Sequence, residues 1–126
     1  RWWSSAASDV YKRQIDDELD TYSIQWTEKH SCGVVIASEG YPEDYESNKK
    51  VSIKENSIKD SKLFHAGTKY ENETILTSGG RVFCATALGS DLKDAQKNAY
   101  NLVNNVEFDG AFFRKDIGFK GIKWAF

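Results

Sequence analysis

Apolar residues recur along this chain with two different periods. Val82, Cys84, Thr86 and Leu88 alternate with Phe83, Ala85 and Ala87, a period-two run that is apolar on both sides and predicts a strand. Gly89 ends it. Leu92, Ala95, Ala99, Leu102, Val103 and Val106 then share one helical face, opposite Lys93, Lys97, Asn101 and Asn104. That spacing predicts an amphipathic helix over about residues 91–106. Ser90 or Asp91 can cap it, and Asp91 and Asp94 suit its positive N-terminus. Upstream, Cys32–Ser38 (CGVVIAS) is a continuous run rich in β-branched residues, which predicts a strand buried on both faces.

Weaker patterns fill the space between. Lys49–Ile53 reads as a short strand and residues 55–60 as a turn or a single helical turn. Lys62–Lys69 alternates, residues 70–74 are polar, and Ile75–Thr77 begins a partner strand, so the pair reads as a hairpin. Val106–Phe113 gives a last strand interrupted by Asp109-Gly110, and Arg114–Gly118 closes the chain. Glu39-Gly40-Tyr41-Pro42 breaks the first strand: it holds the chain's single proline, which biases Tyr41 toward extended backbone and makes a turn. One convincing helix behind a meander of strands predicts an α+β domain with a mostly antiparallel sheet.

Residues 1–14 (RWWSSAASDVYKRQ) follow neither pattern. They resemble translated adapter read-through and are set apart as a non-family segment from a domain over residues 15–126. A helix around residues 6–15 is still compatible with Val10, Ile15 and Leu19 on one face. Asp16, Asp17, Glu18 and Asp20 form an acidic cluster, read as a solvated turn because no glycine-bent loop spaces them as metal ligands.

Composition removes several classes. With 126 residues the chain fits one domain. Seventeen Lys+Arg against 19 Asp+Glu give a net charge of −2, which offers nothing to nucleic acid or to an anionic membrane. Apolar runs such as Val34–Ala37 are too short to span a bilayer, and no leader-like apolar segment opens the chain. Cys32 and Cys84 sit in apolar runs and read as reduced, buried thiols, which fits a cytoplasmic protein; two cysteines so far apart in the sequence make no zinc site.

The candidate chemistry is thin. Gly79-Gly80 can turn consecutive N–H groups toward one point, and the neighbouring Arg81 can add a bidentate phosphate donor. The same Gly-Gly is also a standard hairpin signal, which would leave Arg81 as surface decoration. Lys69 precedes a turn leading back toward that loop, and His65 reads as a core histidine held by one hydrogen bond. Arg114-Lys115-Asp116 is a charge cluster, either an ion-paired turn or a loop brace, and Tyr41-Pro42 is a rigid turn or a cavity lip. No phosphate-binding Walker loop, dinucleotide fingerprint or metal-spaced carboxylate pair is present. Neither a catalytic residue nor a metal ligand is expected.

Taken together, VVIASEGYP, FHAGTK, SGGRVFCATALGSDLKDAQKNAY and FFRKDIG resemble, in order and spacing, the C-terminal domain of phosphoribosylamine–glycine ligases, and ELDTYSIQW is similar to the segment that enters it. Glu39 stands where the family usually has glycine, and Phe119 where it commonly has tryptophan. The resemblance implies an ATP-grasp ligase that joins glycine to phosphoribosylamine in purine biosynthesis, using ATP and magnesium or manganese. The family's metal-binding segment, like RFGDPE, is absent here, so ATP and metal are expected on missing lobes and this chain reads as an inactive fragment. By resemblance to related ATP-grasp enzymes, Arg81 and Lys69, with the Gly79-Gly80 loop, would grip the substrate's ribose phosphate. Arg114 and Asp116 would brace the loop or the interface to the lobes. The expected partners are phosphoribosylamine or glycinamide ribonucleotide and those lobes. The alternative is a non-catalytic phosphate-binding or interaction module of another ATP-grasp protein.

Overall fold

Strand β6 (Arg81–Gly89) lies at the centre because both of its faces are apolar and it has a neighbour on each side. It pairs antiparallel with β1 (His30–Ser38) on one edge and with β3 (Ser61–His65) on the other. β8 (Ala111–Phe112) adds to the far side of β1, giving the order β3-β6-β1-β8. The computed structural model describes residues 11–18, 21, 23, 26–55 and 57–124. Residues 11–15 are helical; the rest of the expected N-terminal helix lies outside the described residues, as does Asp20 of the acidic cluster.

The long helix runs Leu92–Val103, shorter than the expected 91–106. Asp91 caps it by accepting the Asp94 N–H at 2.7 Å, and the Asp94 carboxylate accepts the Ser90 N–H at 3.1 Å, a reciprocal cap. Ala95, Ala99, Leu102 and Val103 are buried against the sheet. Val106 shares the apolar period but belongs to β7 (Val106–Glu107), which pairs with β2 (Ser52–Ile53) and buries Val106 from there.

The register places Cys32, Val34 and Ile36 on the helix side, opposite Ala87, Ala85 and Phe83. All are buried. The expected two-sided burial of β1 is not what forms, for Val35 points to the other face and is 42% exposed. A single helix covers only one side of the sheet. Both cysteines are free, as expected; Cys32 is buried but Cys84 only half so. Burial first, then the nearby Cys84, pushes the Cys32 thiol up, away from the reactive thiolate.

The expected Lys62–Lys69 hairpin divides at Ala66-Gly67. β3 stays with β6, whereas β4 (Thr68–Glu71) turns away to pair with β5 (Thr74–Thr77) through Asn72 and Glu73, both at positive φ. The division point is a close crossing. Gly67 N–H donates to the Arg81 carbonyl at 2.7 Å, and a Cβ on Gly67 would lie 2.7 Å from Gly79 Cα. His65, at the end of β3, is exposed rather than buried; it lies edge-on to Phe83 and Nδ1 is 3.0 Å from Thr68 Oγ1. A six-residue helix, Phe119–Trp124, follows the Arg114–Gly118 turn and was not expected, since it has no apolar period and contains Gly121.

Candidate anion-binding cavity

Strict alternation would put Arg81 on the helix side of the sheet, together with Phe83 and Ala85. A β-bulge prevents this. Ile36 pairs with Phe83, but the next pair is Ala37 with Arg81, so Val82 is left as an extra residue on β6. The bulge turns Arg81 onto the open face, beside Gly33, Val35 and Ala37 of β1. Tyr41, Phe112, Phe113, Arg114 and Ile117 complete a cavity of about 240 Å³ there, with a largely apolar floor. Arg81 is exposed, and among the described residues its guanidinium has no ion pair or hydrogen bond. A planar donor without a partner, at the rim of an apolar floor, suits a carboxylate or phosphate.

The Gly79-Gly80 segment is a bend that carries the chain from β5 to β6, and not a hairpin, because those two strands have different partners. Neither glycine has the left-handed angle of an anion nest; the glycines at positive φ are Gly40, Gly110 and Gly118. The reason for glycine here is room. A Cβ on Gly80 would stand 2.0 Å from Tyr41 Cδ2, so the Tyr41 ring lies directly on the Gly80 backbone. Ser38 N–H donates to the Gly80 carbonyl at 2.8 Å and ties the same corner to β1. Gly80→Ala is therefore expected to cost about 1–3 kcal/mol and to displace Tyr41. Gly79→Ala would bring a Cβ no closer than 3.2 Å to Gly67 Cα and is expected to cost under about 1 kcal/mol. Urea denaturation of the two variants checks the order; a costlier Gly79→Ala would restore the nest.

The opposite wall is the Arg114–Ile117 loop, and the long helix holds it. Tyr100 Oη donates to the Arg114 carbonyl at 2.7 Å and accepts the Ile117 N–H at 3.0 Å. Gln96, one turn earlier, donates from Nε2 to the Ile117 carbonyl at 2.6 Å. Arg114 itself forms a two-pronged pair with Asp116, Nε to Oδ1 at 2.9 Å and Nη2 to Oδ2 at 2.5 Å. The Arg114 guanidinium holds the Asp116 carboxyl below the usual carboxylate range, and Asp116 pushes Arg114 up in turn.

Of the residues singled out in the sequence, Arg81, Arg114 and Tyr41 meet at this cavity, with Gly80 packed on Tyr41 and Asp116 attached through Arg114. Pro42 follows Tyr41 in the turn, through a cis peptide bond. Lys69 does not line the cavity: it lies on β4 opposite Leu76 and is paired with Glu71 at 2.7 Å. Gln96, Tyr100 and the floor residues Val35 and Phe113 were not singled out. The signal was the i, i+4 spacing of Gln96 and Tyr100 beside the apolar face of the helix. A larger cavity, about 400 Å³, lies beside Ser38 but is walled by Glu39, Asp44, Glu46 and Asp109, with Lys49 already paired to Glu46 and Asp109. Its charge disfavours an anion. Among the described residues no group of three or more His, Cys, Asp or Glu side chains is placed to hold a metal ion, and no helix is long and apolar enough to cross a membrane.

The crystal structure of the phosphoribosylamine–glycine ligase of Thermotoga maritima superposes on 84% of this chain with a TM-score of 0.70 at 25% sequence identity, and the match takes up 27% of that protein. The antiparallel sheet and its one-sided helix are thus those of an α+β domain of the ATP-grasp ligase C-terminal type. Relatives are closer in sequence. The phosphoribosylamine–glycine ligase of Salmonella typhimurium is 46% identical over 117 residues, and that of Vibrio parahaemolyticus 41% identical over 115, covering 91% and 90% of this chain. The family model described as "Phosphoribosylglycinamide synthetase, C domain" matches residues 31–120, and the chain belongs to that family. The chain spans 27% of the length of these two relatives.

Proposed function

We propose that residues 15–126 form the C-terminal, substrate-closing domain of a phosphoribosylamine–glycine ligase acting in purine biosynthesis, and that residues 1–14 take no part. In this reading the Arg81 cavity receives the phosphate of phosphoribosylamine, and of the product glycinamide ribonucleotide. ATP and magnesium or manganese belong to ATP-grasp lobes outside this chain, which would also be its protein partner, in the cytoplasm. The observation that carries the proposal is the unpaired Arg81 guanidinium, aimed by the bulge into an apolar-floored cavity of a chain from this family. The chain's part is to bind, to orient and to exclude water. Arg81 holds the charged end of the substrate, and Val35, Phe112 and Phe113 offer an apolar floor that the substrate covers as it binds. Lys69, paired with Glu71 on a separate ribbon, stands outside this cavity.

The test is a chimera in which residues 31–120 replace the matching segment of the Salmonella typhimurium enzyme, expressed in a bacterium lacking its own ligase. Growth without added purine is expected. Arg81→Ala in the purified chimera is expected to lower kcat/KM for phosphoribosylamine by about 10–100-fold, the loss of one charge-assisted hydrogen-bonding partner. A folded chimera without activity, or an unchanged kcat/KM in Arg81→Ala, would overturn the proposal.

A further inference from the structure

The cavity contains a second guanidinium. We infer that Arg114 is an anion-binding residue and makes, with Arg81, a two-arginine cradle for a phosphate monoester. This rests on the reading of the cavity given above and adds a residue whose expected role was to brace its loop or the interface to the lobes.

Three observations carry it. First, Arg81 and Arg114 line the same cavity from opposite walls, one delivered by the β6 bulge and the other by the loop after β8. Second, Asp116 occupies only part of the Arg114 fork. Nε and one Nη2 hydrogen are engaged, while the two Nη1 hydrogens and the other on Nη2 have no partner among the described residues. The Arg114 and Asp116 side chains are 67% and 60% exposed. An ion pair so open to water does little for folding; what it fixes is direction. The carboxylate grips one edge of the guanidinium and leaves the other for a ligand. It also offsets the like charge of two arginines facing one cavity while no anion is bound. Third, the loop is held in place from beneath. Tyr100 takes the Arg114 carbonyl and the Ile117 N–H, and Gln96 takes the Ile117 carbonyl. Two side chains one helical turn apart thus set where the Arg114 backbone stands, and Tyr100 is a positioning residue for Arg114.

The chemistry of the lining selects the ligand class. Two guanidinium groups above Val35, Phe113 and Ile117 match an anion carrying two negative charges, and the floor has nothing to hydrogen-bond sugar hydroxyls. A phosphate monoester would enter phosphate first, with its sugar facing outward.

Two-dimensional NMR of the whole chain tests this, using ribose 5-phosphate, ribose and inorganic phosphate as probes. Ribose 5-phosphate is expected to move the Gly33, Ala37 and Ile117 amides saturably, inorganic phosphate to do so more weakly, and ribose not at all. Arg81→Ala and Arg114→Ala are each expected to weaken ribose 5-phosphate binding by about tenfold or more. Arg114→Lys, which keeps the charge and loses the fork, is expected to fall between wild type and Arg114→Ala, and it replaces the alanine variant if that one does not fold. Tyr100→Phe is expected to weaken binding less than Arg114→Ala does, with shifts confined to residues 114–118. Wild-type affinity in Arg114→Ala or Arg114→Lys, with binding lost in Arg81→Ala, overturns the cradle and leaves the proposed function standing. No saturable shift with ribose 5-phosphate in the wild type overturns both.

Discussion

Phe83→Ala is expected to lower the free energy of unfolding by about 3–5 kcal/mol, as read from urea denaturation. Phe83 is fully buried in β6, on the face that the long helix covers. Its partners across the ladders are Ile36 of β1 and His65 of β3, and the His65 ring meets it edge-on with centroids 4.8 Å apart. The substitution leaves a cavity beneath the long helix, in a sheet whose strands are held at their spacing by ladder hydrogen bonds and so cannot close over it. Small domains have only about 5–15 kcal/mol of stability in total, so the variant stands near the edge of folding. Val35→Ala removes a side chain from the other face, where Val35 is 42% exposed, and is expected to cost far less. Equal costs at the two positions would mean that the helix is not what closes the core.

That contrast between Phe83 and Val35 was not legible in the sequence. A continuous apolar run such as Cys32–Ser38 gives the existence of a strand but cannot say which face is covered, because coverage depends on how many helices reach the sheet. The strand β6 and the long helix were legible because their periods of two and 3.6 are long and uninterrupted. The helix end was misplaced because Val106 keeps the helical period while the chain has already left the helix to pair with Ile53. Pairing was the larger error. Lys62–Lys69 and Ile75–Thr77 suggest one hairpin, yet only its β4–β5 end pairs; β3 parts from β4 at Gly67, where the chain packs against Gly79, twelve positions on.

For the cavity, side-chain chemistry was legible and direction was not. Arg81 stood out beside its two glycines, but period-two counting alone would have sent it to the helix side; only the bulge at Val82 reverses it. The two glycines read either as an anion nest or as a hairpin turn, whereas in the structure it is the Tyr41 ring that leaves no room for a Cβ at Gly80. Arg114 reaches the same cavity because β8 pairs with the end of β1 at Ala37, a long-range pairing with no local signal.

Gly89→Ala is expected to cost about 3 kcal/mol or more, and to disturb the cavity at a distance. Gly89 is the last residue of β6, where the chain turns into the helix, and it is buried. A Cβ there would lie 2.2 Å from Ala95 N and 2.8 Å from Ala95 Cα. Those are backbone atoms of the first helical turns, so no rotamer change relieves the clash and the helix must shift away from the sheet. Its backbone angle is not left-handed, so the cost is one of space. The helix that shifts also bears Gln96 and Tyr100, whose hydrogen bonds set the Arg114–Ile117 wall. Besides the lowered urea midpoint, the Ile117 and Gly118 amides are therefore expected to move in the NMR spectrum and ribose 5-phosphate affinity to fall, although no cavity residue has been changed. Full stability in Gly89→Ala would mean that the helix sits farther from β6 than the contacts at Ala95 place it. Lost stability with an unmoved Ile117 would separate the helix from the wall it is argued to hold.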